Sequence, residues 1–307
     1  MTFTETFEVS ATAPFNFDLT AQIFRNGDKQ IRTYRDGVFS QVLRLNDQPA
    51  LINATSTGKI EQPKLTITLK ANKPLTLEDN RNAEETVKFI FNLDFDLNSF
   101  YEEIKDDPKM SKIAKQLYGL KNPTTPTVFE SLVDSIVEQQ ISILVAIALE
   151  EKLVKKFGDR LEIDGDVYFA FPKPQSLAGA SVEKIQQVGL SRRKAEYIHE
   201  AANLIVASKL DLEGLKAQES ADEIILRLDE VRGIGVWTAE LTMLRGMQRL
   251  DALPADDLGL RRVISKYYRG GRPIEAAEAR EIAKAWGRWK GLAAFYLIIA
   301  EFKGISV

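Results

Sequence analysis

The alternation of apolar and polar positions changes rhythm once along the 307-residue chain. Over roughly the first ninety positions its period is two. Thr, Val and Phe alternate with polar neighbours across 2–9, and Leu65-Thr66-Ile67-Thr68-Leu69 alternates cleanly, as strands with one buried face do. Asp36-Gly37 stands between two such segments, a dipeptide suited to the positive φ angles of a two-residue hairpin. From about Asp94 the periodicity is helical. Residues 97–118 form an amphipathic stretch closed by Gly119 and the loop Asn122-Pro123-Thr124-Thr125-Pro126, and 127–157 read as one long apolar helix. Residues 181–208 read as two shorter helices, 222–246 as a helical stretch interrupted at Gly233-Ile234-Gly235, 273–289 as a helix opened by Pro273, and 292–302 as a buried closing helix. The predicted fold class is α+β, with an N-terminal antiparallel β-sheet domain over 1–93 followed by an all-helical domain over 94–307. The sheet region carries no chemical constellation and reads as scaffold.

Composition narrows the chemistry. Apolar residues make up 44% and charged residues 28%, enough to bury a sizeable core. The 41 basic and 44 acidic side chains leave a net charge of −3, which by itself does not announce a polyanion-binding protein. Cysteine is absent, so disulfides, thiolate zinc sites, iron–sulfur clusters and cysteine nucleophiles are excluded together. A single histidine, His199, cannot build an imidazole metal site and reads as a packing or surface residue. No basic residue precedes Arg25 and no continuous apolar run follows the start, so no signal peptide is expected. The longest apolar stretch, 291–300, is about half of what a bilayer span needs. A cytoplasmic protein without a membrane partner is the expectation.

The segment Leu228-Asp229-Glu230-Val231-Arg232-Gly233-Ile234-Gly235-Val236-Trp237-Thr238-Ala239 is the most informative. Two glycines flanking one aliphatic residue let the chain reverse tightly between helices, and Ile234 can plug the crevice. The second helix then begins with unpaired N–H groups at Gly235 to Thr238, which with the helix dipole form an anion site suited to phosphate. A dinucleotide-binding Gly-x-Gly turn would need a strand before it. Here Ile224, Leu228 and Val231 share a helical face instead. Either an ordinary packing corner or a DNA-binding helix-hairpin-helix remains on these twelve residues.

Some twenty residues on stands Leu253-Pro254-Ala255-Asp256-Asp257-Leu258-Gly259-Leu260. Two aspartates before a helix serve first as caps; one of them could also be a carboxylate that stabilises a developing cation or orients water. Between 261 and 290 there are nine basic residues and three acidic ones, a local excess that fits a nucleic-acid face as well as a solvated helix.

Together these segments resemble the helix-hairpin-helix DNA glycosylase superfamily, and within it the 3-methyladenine DNA glycosylase II branch. Phe129-Glu130-Ser131-Leu132 through Glu138-Gln139-Gln140-Ile141-Ser142 is similar to the family's first long helix and DNA-penetrating corner. Phe171-Pro172-Lys173-Pro174 with Gly189-Leu190-Ser191-Arg192-Arg193-Lys194-Ala195 is similar to its middle segment, and the β region to the small sheet domain of the alkylpurine and 8-oxoguanine branches. The resemblance implies two helical subdomains flanking an active-site cleft. It assigns Asp257 as the catalytic aspartate and Asp256 as its non-catalytic neighbour. Trp237 stands where strand-cutting branches carry a nucleophilic lysine, so no Schiff base and no β-elimination are expected; Lys194, in another segment, is a remote stand-in. Gln139 and Gln140 match the corner that fills the space of an extruded nucleotide. Trp237, Leu241 and Glu301 fall at base-pocket positions, the latter two where the inducible bacterial pattern has tyrosine and tryptophan. Gly233, Gly235, Val236 and Thr238 match the backbone-gripping hairpin. The carbonyls of Asp229, Val231 and Ile234 match a Na+ or K+ site occupied when DNA is bound, with no cofactor otherwise required. Trp286, Trp289 and Phe295 read as core.

The implied activity is monofunctional excision of alkylated purines such as 3-methyladenine from double-stranded DNA, by a monomer associated with the nucleoid. The base must leave the stack first, and Asp257 would then stabilise the oxocarbenium-like sugar. An 8-oxoguanine or deaminated-purine (hypoxanthine) glycosylase, or a DNA-binding module with no turnover, are the alternatives.

Overall fold

The computed structural model describes residues 1–46, 48–218 and 220–307. Its N-terminal region is built on one antiparallel sheet of β1 (Phe3–Ser10), β2 (Arg32–Arg35), β3 (Val38–Leu45), β4 (Gln48–Ser56) and β5 (Lys64–Ala71), in the order β1-β5-β4-β3-β2. A short helix, α1 (Phe17–Ala21), lies between β1 and β2. The period-two segments are strands: in β5 the residues Leu65, Ile67, Leu69 and Ala71 are buried while their neighbours face outward. Asp36 and Gly37 form the β2–β3 turn, with φ of 51° and 80° between the paired Arg35 and Val38. One residue of slip there would turn Phe39 and Leu43 out of the core.

Helical structure begins earlier than the periodicity predicts. Helix α2 (Leu77–Ile90) is opened by Thr76, whose hydroxyl accepts from the Asp79 N–H while Asp79 accepts from the Thr76 N–H. This reciprocal cap starts a helix that lays Ala83, Val87 and Ile90 on the sheet face carrying Phe39, Ile52 and Ile67. The 97–118 stretch is two helices, α3 (Leu97–Glu103) and α4 (Pro108–Gln116), because Asp107-Pro108 caps and restarts the chain. The long apolar run is likewise two, α5 (Val128–Glu138) and α6 (Ile143–Phe157), and it breaks at the corner that the resemblance implies. A hairpin of β6 (Arg160–Ile163) and β7 (Asp166–Phe169), absent from the predicted elements, follows. A second Asp-Gly, Asp164-Gly165, turns it with φ of 53° and 90°. It covers the outer face of the sheet, packing Leu161 and Ile163 on Val42 and Leu51.

The remaining chain is α7 (Pro174–Ala178), α8 (Val182–Gln186), α9 (Arg192–Val206), α10 (Ala221–Asp229), α11 (Val236–Gly246), α12 (Leu258–Tyr268), α13 (Ala276–Ala283) and α14 (Lys290–Phe302). The helix predicted from Pro273 starts instead at Ala276, with Glu275 at the N-cap position but making no side-chain capping bond, and gives way to a 3-10 segment over Lys284–Trp289 in which Gly287 has a φ of 51°. No helix is long and apolar enough to cross a membrane among the described residues. Lys121 pins the sheet to the helices: it is fully buried, and its ammonium donates to the carbonyls of Thr12 (3.0 Å) and Leu93 (2.9 Å) against the Phe15 ring. Burial lowers this amine to about 8.

Candidate functional site

The site grows from the crossing of α5 and α11. Ser131 and Ser135 on α5 meet Thr242 and Gly246 on α11: Ser131 Oγ donates to the Thr242 carbonyl (3.3 Å), and a Cβ at Gly246 would lie 2.7 Å from that of Ser131. Small residues one turn apart on both helices let the backbones approach closely. Beyond this crossing α5 ends at Gln139, whose extended backbone (φ −50°, ψ 123°) stops the helix. Its side-chain amide donates to the Gly233 carbonyl (2.9 Å) and to Thr238 Oγ1 (3.0 Å). Lys194, at the start of α9, donates to the Val137 carbonyl (2.7 Å), a C-terminal cap that occupies its amine. Gln140 is exposed, with a φ of 55°. The first turn of α6 behind it bares Ile143, Leu144 and Val145.

Between α10 and α11 the Gly233-Ile234-Gly235 turn is helix–turn–helix, and no strand precedes it. Gly233 has a φ of 87°, and a Cβ there would fall 2.3 Å from the Tyr197 ring; the fold itself requires glycine. Ile234 is buried and plugs the turn. Gly235 differs: its φ is −93° and a Cβ would meet nothing within 4 Å. It caps α11 with no side-chain bond, and the N–H groups of Val236, Trp237 and Thr238 find no acceptor among the described residues. The turn, Gln139 and Tyr197 line a concavity of about 500 Å³. Of the three carbonyls expected to hold a cation, that of Val231 accepts the Ile234 N–H (3.0 Å) and keeps one lone pair; those of Asp229 and Ile234 belong to the same turn.

In the first turn of α11, Trp237 is half-buried, with an indole N–H that is buried without an acceptor among the described residues. Leu241, one turn further on the same face, is buried. Asp257 caps α12: its Oδ1 accepts the Leu260 N–H at 2.7 Å, and its side chain is half-buried. The cap fixes the carboxylate's direction at the positive end of the helix. Asp256 points away, exposed, toward Arg280 (3.5 Å). The two aspartates are thus not equivalent.

Glu301, which the resemblance places at the base pocket, is ion-paired. Its carboxylate is held by Lys266 and by Arg262 (3.2 Å), two residues one turn apart on α12. The Lys266 bond first, and Arg262 after it, keep that carboxyl below its ordinary range. The basic surplus over 261–290 is also mostly ion-paired. Seven of the nine pair with carboxylates: Arg261 with Glu275, Arg262 and Lys266 with Glu301, Arg269 and Arg272 with Glu278, Arg280 with Glu240, and Lys284 with Glu281. As a nucleic-acid face this cluster is weaker than its charge count. His199 bonds the Leu177 carbonyl (3.2 Å), and Trp286 and Trp289 are buried, so these pack the structure.

A buried carboxylate array behind the corner escaped sequence reading. Glu130, Asp134 and Glu138 recur every four residues along α5, a spacing that passes for an exposed acidic stripe. Arg32 of β2 pairs with Glu130 (3.0 Å) and Arg245 of α11 with Glu138. Glu150 of α6 has a buried Oε1 with no partner among the described residues. Burial, and after it the Glu138 charge, pushes Glu150 up to about 7, and burial with Glu150 and Glu130 raises Asp134 well above the usual range.

Comparison with known proteins agrees with this geometry. Residues 133–288 match the family described as HhH-GPD superfamily base excision DNA repair protein, and residues 9–132 match the 8-oxoguanine DNA glycosylase N-terminal domain. The chain is 29% identical over 292 residues to the DNA-3-methyladenine glycosylase of Bacillus subtilis, covering 93% of this chain and 94% of that one. A solved 3-methyladenine DNA glycosylase from Archaeoglobus fulgidus superposes with a TM-score of 0.85 at 26% identity, over 98% of this chain and 100% of that one. The 8-oxoguanine glycosylase/lyase of Clostridium acetobutylicum shares the fold, with a TM-score of 0.76 at 19% identity over 98% and 99% of the two chains. A small antiparallel sheet, a helix-hairpin-helix turn with unpaired amides, and a capping aspartate at the next helix start are therefore those of a member of the HhH-GPD superfamily of base excision DNA repair proteins.

Proposed function

We propose that this protein is a monofunctional DNA glycosylase that extrudes and hydrolytically releases alkylated purines such as 3-methyladenine from duplex DNA. The observation that carries the reading is the pairing of roles around the hairpin. Asp257 is a directed carboxylate at the head of α12, and the first turn of α11 presents Trp237 where an amine nucleophile would have to stand. A carboxylate without a neighbouring amine can stabilise an oxocarbenium-like sugar and orient the water that captures it, but it cannot form the imine that precedes strand cleavage.

The hairpin supplies the grip. The Val236, Trp237 and Thr238 amides lie at a helix start, where the dipole favours a phosphate, and Gly235 leaves the approach open. The carbonyls of Asp229, Val231 and Ile234 would hold a Na+ or K+ between this turn and the phosphate, supplying positive charge at the backbone. Gln140 would fill the vacated space at the corner, and the extruded base would lie against Trp237 and Leu241. An alkylated purine carries positive charge before it leaves, so the site needs little general-acid help, in keeping with an aromatic and aliphatic lining. The names of the Bacillus and Archaeoglobus relatives support the alkylpurine reading. The N-terminal domain match favours an 8-oxoguanine substrate as the second reading.

Incubating the protein with methylated duplex DNA and chromatographing the released bases tests both readings. Free 3-methyladenine with uncut strands until alkali treatment is the expected result. Release from 8-oxoguanine duplex only would transfer the assignment to the second reading. Prompt strand cleavage would remove the monofunctional one.

A further inference from the structure

We propose that Arg280 is a positioning residue for the glycosylase reaction, setting the loop that carries Asp257 against the hairpin's second helix; this rests on the role given to Asp257 above. Arg280 lies on α13, outside both the hairpin and the aspartate loop, yet its guanidinium meets both. It bonds both oxygens of Glu240 (2.7 and 3.0 Å), the Leu253 carbonyl (3.1 Å) and Asp256 Oδ2 (3.5 Å). Glu240 stands three residues after Trp237 on α11, one turn from the proposed base contact. Leu253 and Asp256 belong to the loop between α11 and α12, and Asp257 follows directly.

The chemistry of the fork explains the choice of residue. Glu240 is 4% exposed, and a carboxylate at that depth needs a counter-ion. A planar guanidinium can serve the carboxylate bidentately and still reach a carbonyl, fixing direction as well as distance. The loop is tight at the point where it is held: the Leu253 carbonyl also accepts the Ala255 N–H (2.7 Å), and the Pro254 carbonyl accepts the Asp257 N–H (3.0 Å). Movement at Leu253 is therefore passed to Asp257 within one turn of chain. Asp256, exposed and bonded to Arg280 alone among the described residues, is the outer handle of the same grip. The paired aspartates then divide their work, Asp256 being held so that Asp257 is aimed.

The test is Arg280→Lys, which keeps the charge beside Glu240 but cannot span all three acceptors. In single-turnover release from methylated duplex, the rate falls at least ~10-fold, the order expected from displacing a reacting group by a fraction of an ångström. Affinity for an abasic-site duplex stays within about threefold of wild type and unfolding remains cooperative. Glu240→Gln, which retains the shape and one acceptor, loses less, and Arg280→Lys/Glu240→Gln is no slower than Arg280→Lys alone because the pair acts as a unit. A folded Arg280→Lys protein with a wild-type rate, or one whose DNA affinity falls in step with its rate, overturns the proposal while leaving the glycosylase reading intact. A wild-type protein that releases no base from any damaged duplex overturns that reading and this proposal with it.

Discussion

The side-chain amide of Gln139 donates to the carbonyl of Gly233 at 2.9 Å, binding the end of α5 to the turn of the helix hairpin. The same amide reaches Thr238 Oγ1 at 3.0 Å on the other side of that turn. The corner that would enter DNA and the turn that would hold its backbone are therefore tied directly by one side chain, beyond the close crossing of α5 and α11.

Gln139→Ala removes both bonds. Two side-chain hydrogen bonds of this kind contribute about 1–2 kcal/mol, so a modest fall in the urea midpoint is expected. Binding to an abasic-site duplex, followed by fluorescence anisotropy, weakens by about tenfold, since every 1.4 kcal/mol of lost alignment is tenfold in affinity. Unchanged affinity in the folded variant would show that the corner and the hairpin bind independently.

The two hairpin glycines predict opposite phenotypes. Gly233→Ala drives a methyl into the Tyr197 ring at positive φ, at a cost of roughly 1–3 kcal/mol in the sparsely populated backbone region alone, so its thermal midpoint falls clearly. Gly235→Ala meets open space in the free protein and leaves the midpoint within a degree or two of wild type, but its methyl obstructs the approach of a phosphate and weakens DNA binding. Calorimetry and anisotropy on the two variants separate the effects. Equal destabilisation of both would mean that Gly235 is required by the fold.

The carboxylate array makes stability depend on pH with a definite sign. Glu150 is pushed up to about 7 by burial first and then by Glu138, with Arg32 and Arg245 opposing and Glu130 adding to the shift; Asp134 is raised in the same direction, Glu150 itself included among its causes. The folded protein therefore keeps a proton that the unfolded chain releases near the ordinary glutamate value. Stability contributed by this group grows as pH falls from about 7 toward 4.5 and is lost as pH rises through 7. Glu150→Gln flattens that trend and stabilises the protein at pH 8, by on the order of 2 kcal/mol after allowance for screening. Urea titrations of both proteins at pH 5, 6, 7 and 8 measure the difference. A wild-type-like slope in Glu150→Gln would place the linked proton elsewhere.

Much of this site is legible in the sequence because its constraints are local. Gly233-Ile234-Gly235 encodes a turn through backbone freedom, Asp257 encodes a cap through its position before Leu258, and Asp36-Gly37 encodes a hairpin through two positive φ angles. Partners distant in the chain are not legible in this way. Glu240 and Arg280 are separated by forty positions, and nothing around either marks the other. Glu130, Asp134 and Glu138 have the spacing of a solvated stripe, and only the packing of α6 and β2 buries them. The local charge surplus over 261–290 misleads for the same reason: Glu240 and Glu301 neutralise Arg280, Arg262 and Lys266 from outside the window in which the charge is counted. The start of α2 was encoded locally, in Thr76 and Asp79, but strand-like periodicity on its N-terminal side masks it.

The role of Asp257 is read out by single-turnover base release from methylated duplex DNA by wild type, Asp257→Asn and Asp256→Asn, with abasic-duplex affinity measured alongside. Asp257→Asn loses release by on the order of 10³-fold or more, as expected when a group acting in the transition state is neutralised, while its affinity stays within about threefold. Asp256→Asn, deprived only of the outer contact to Arg280, keeps release within about tenfold. Release that survives Asp257→Asn, or that is abolished by Asp256→Asn instead, would contradict that role.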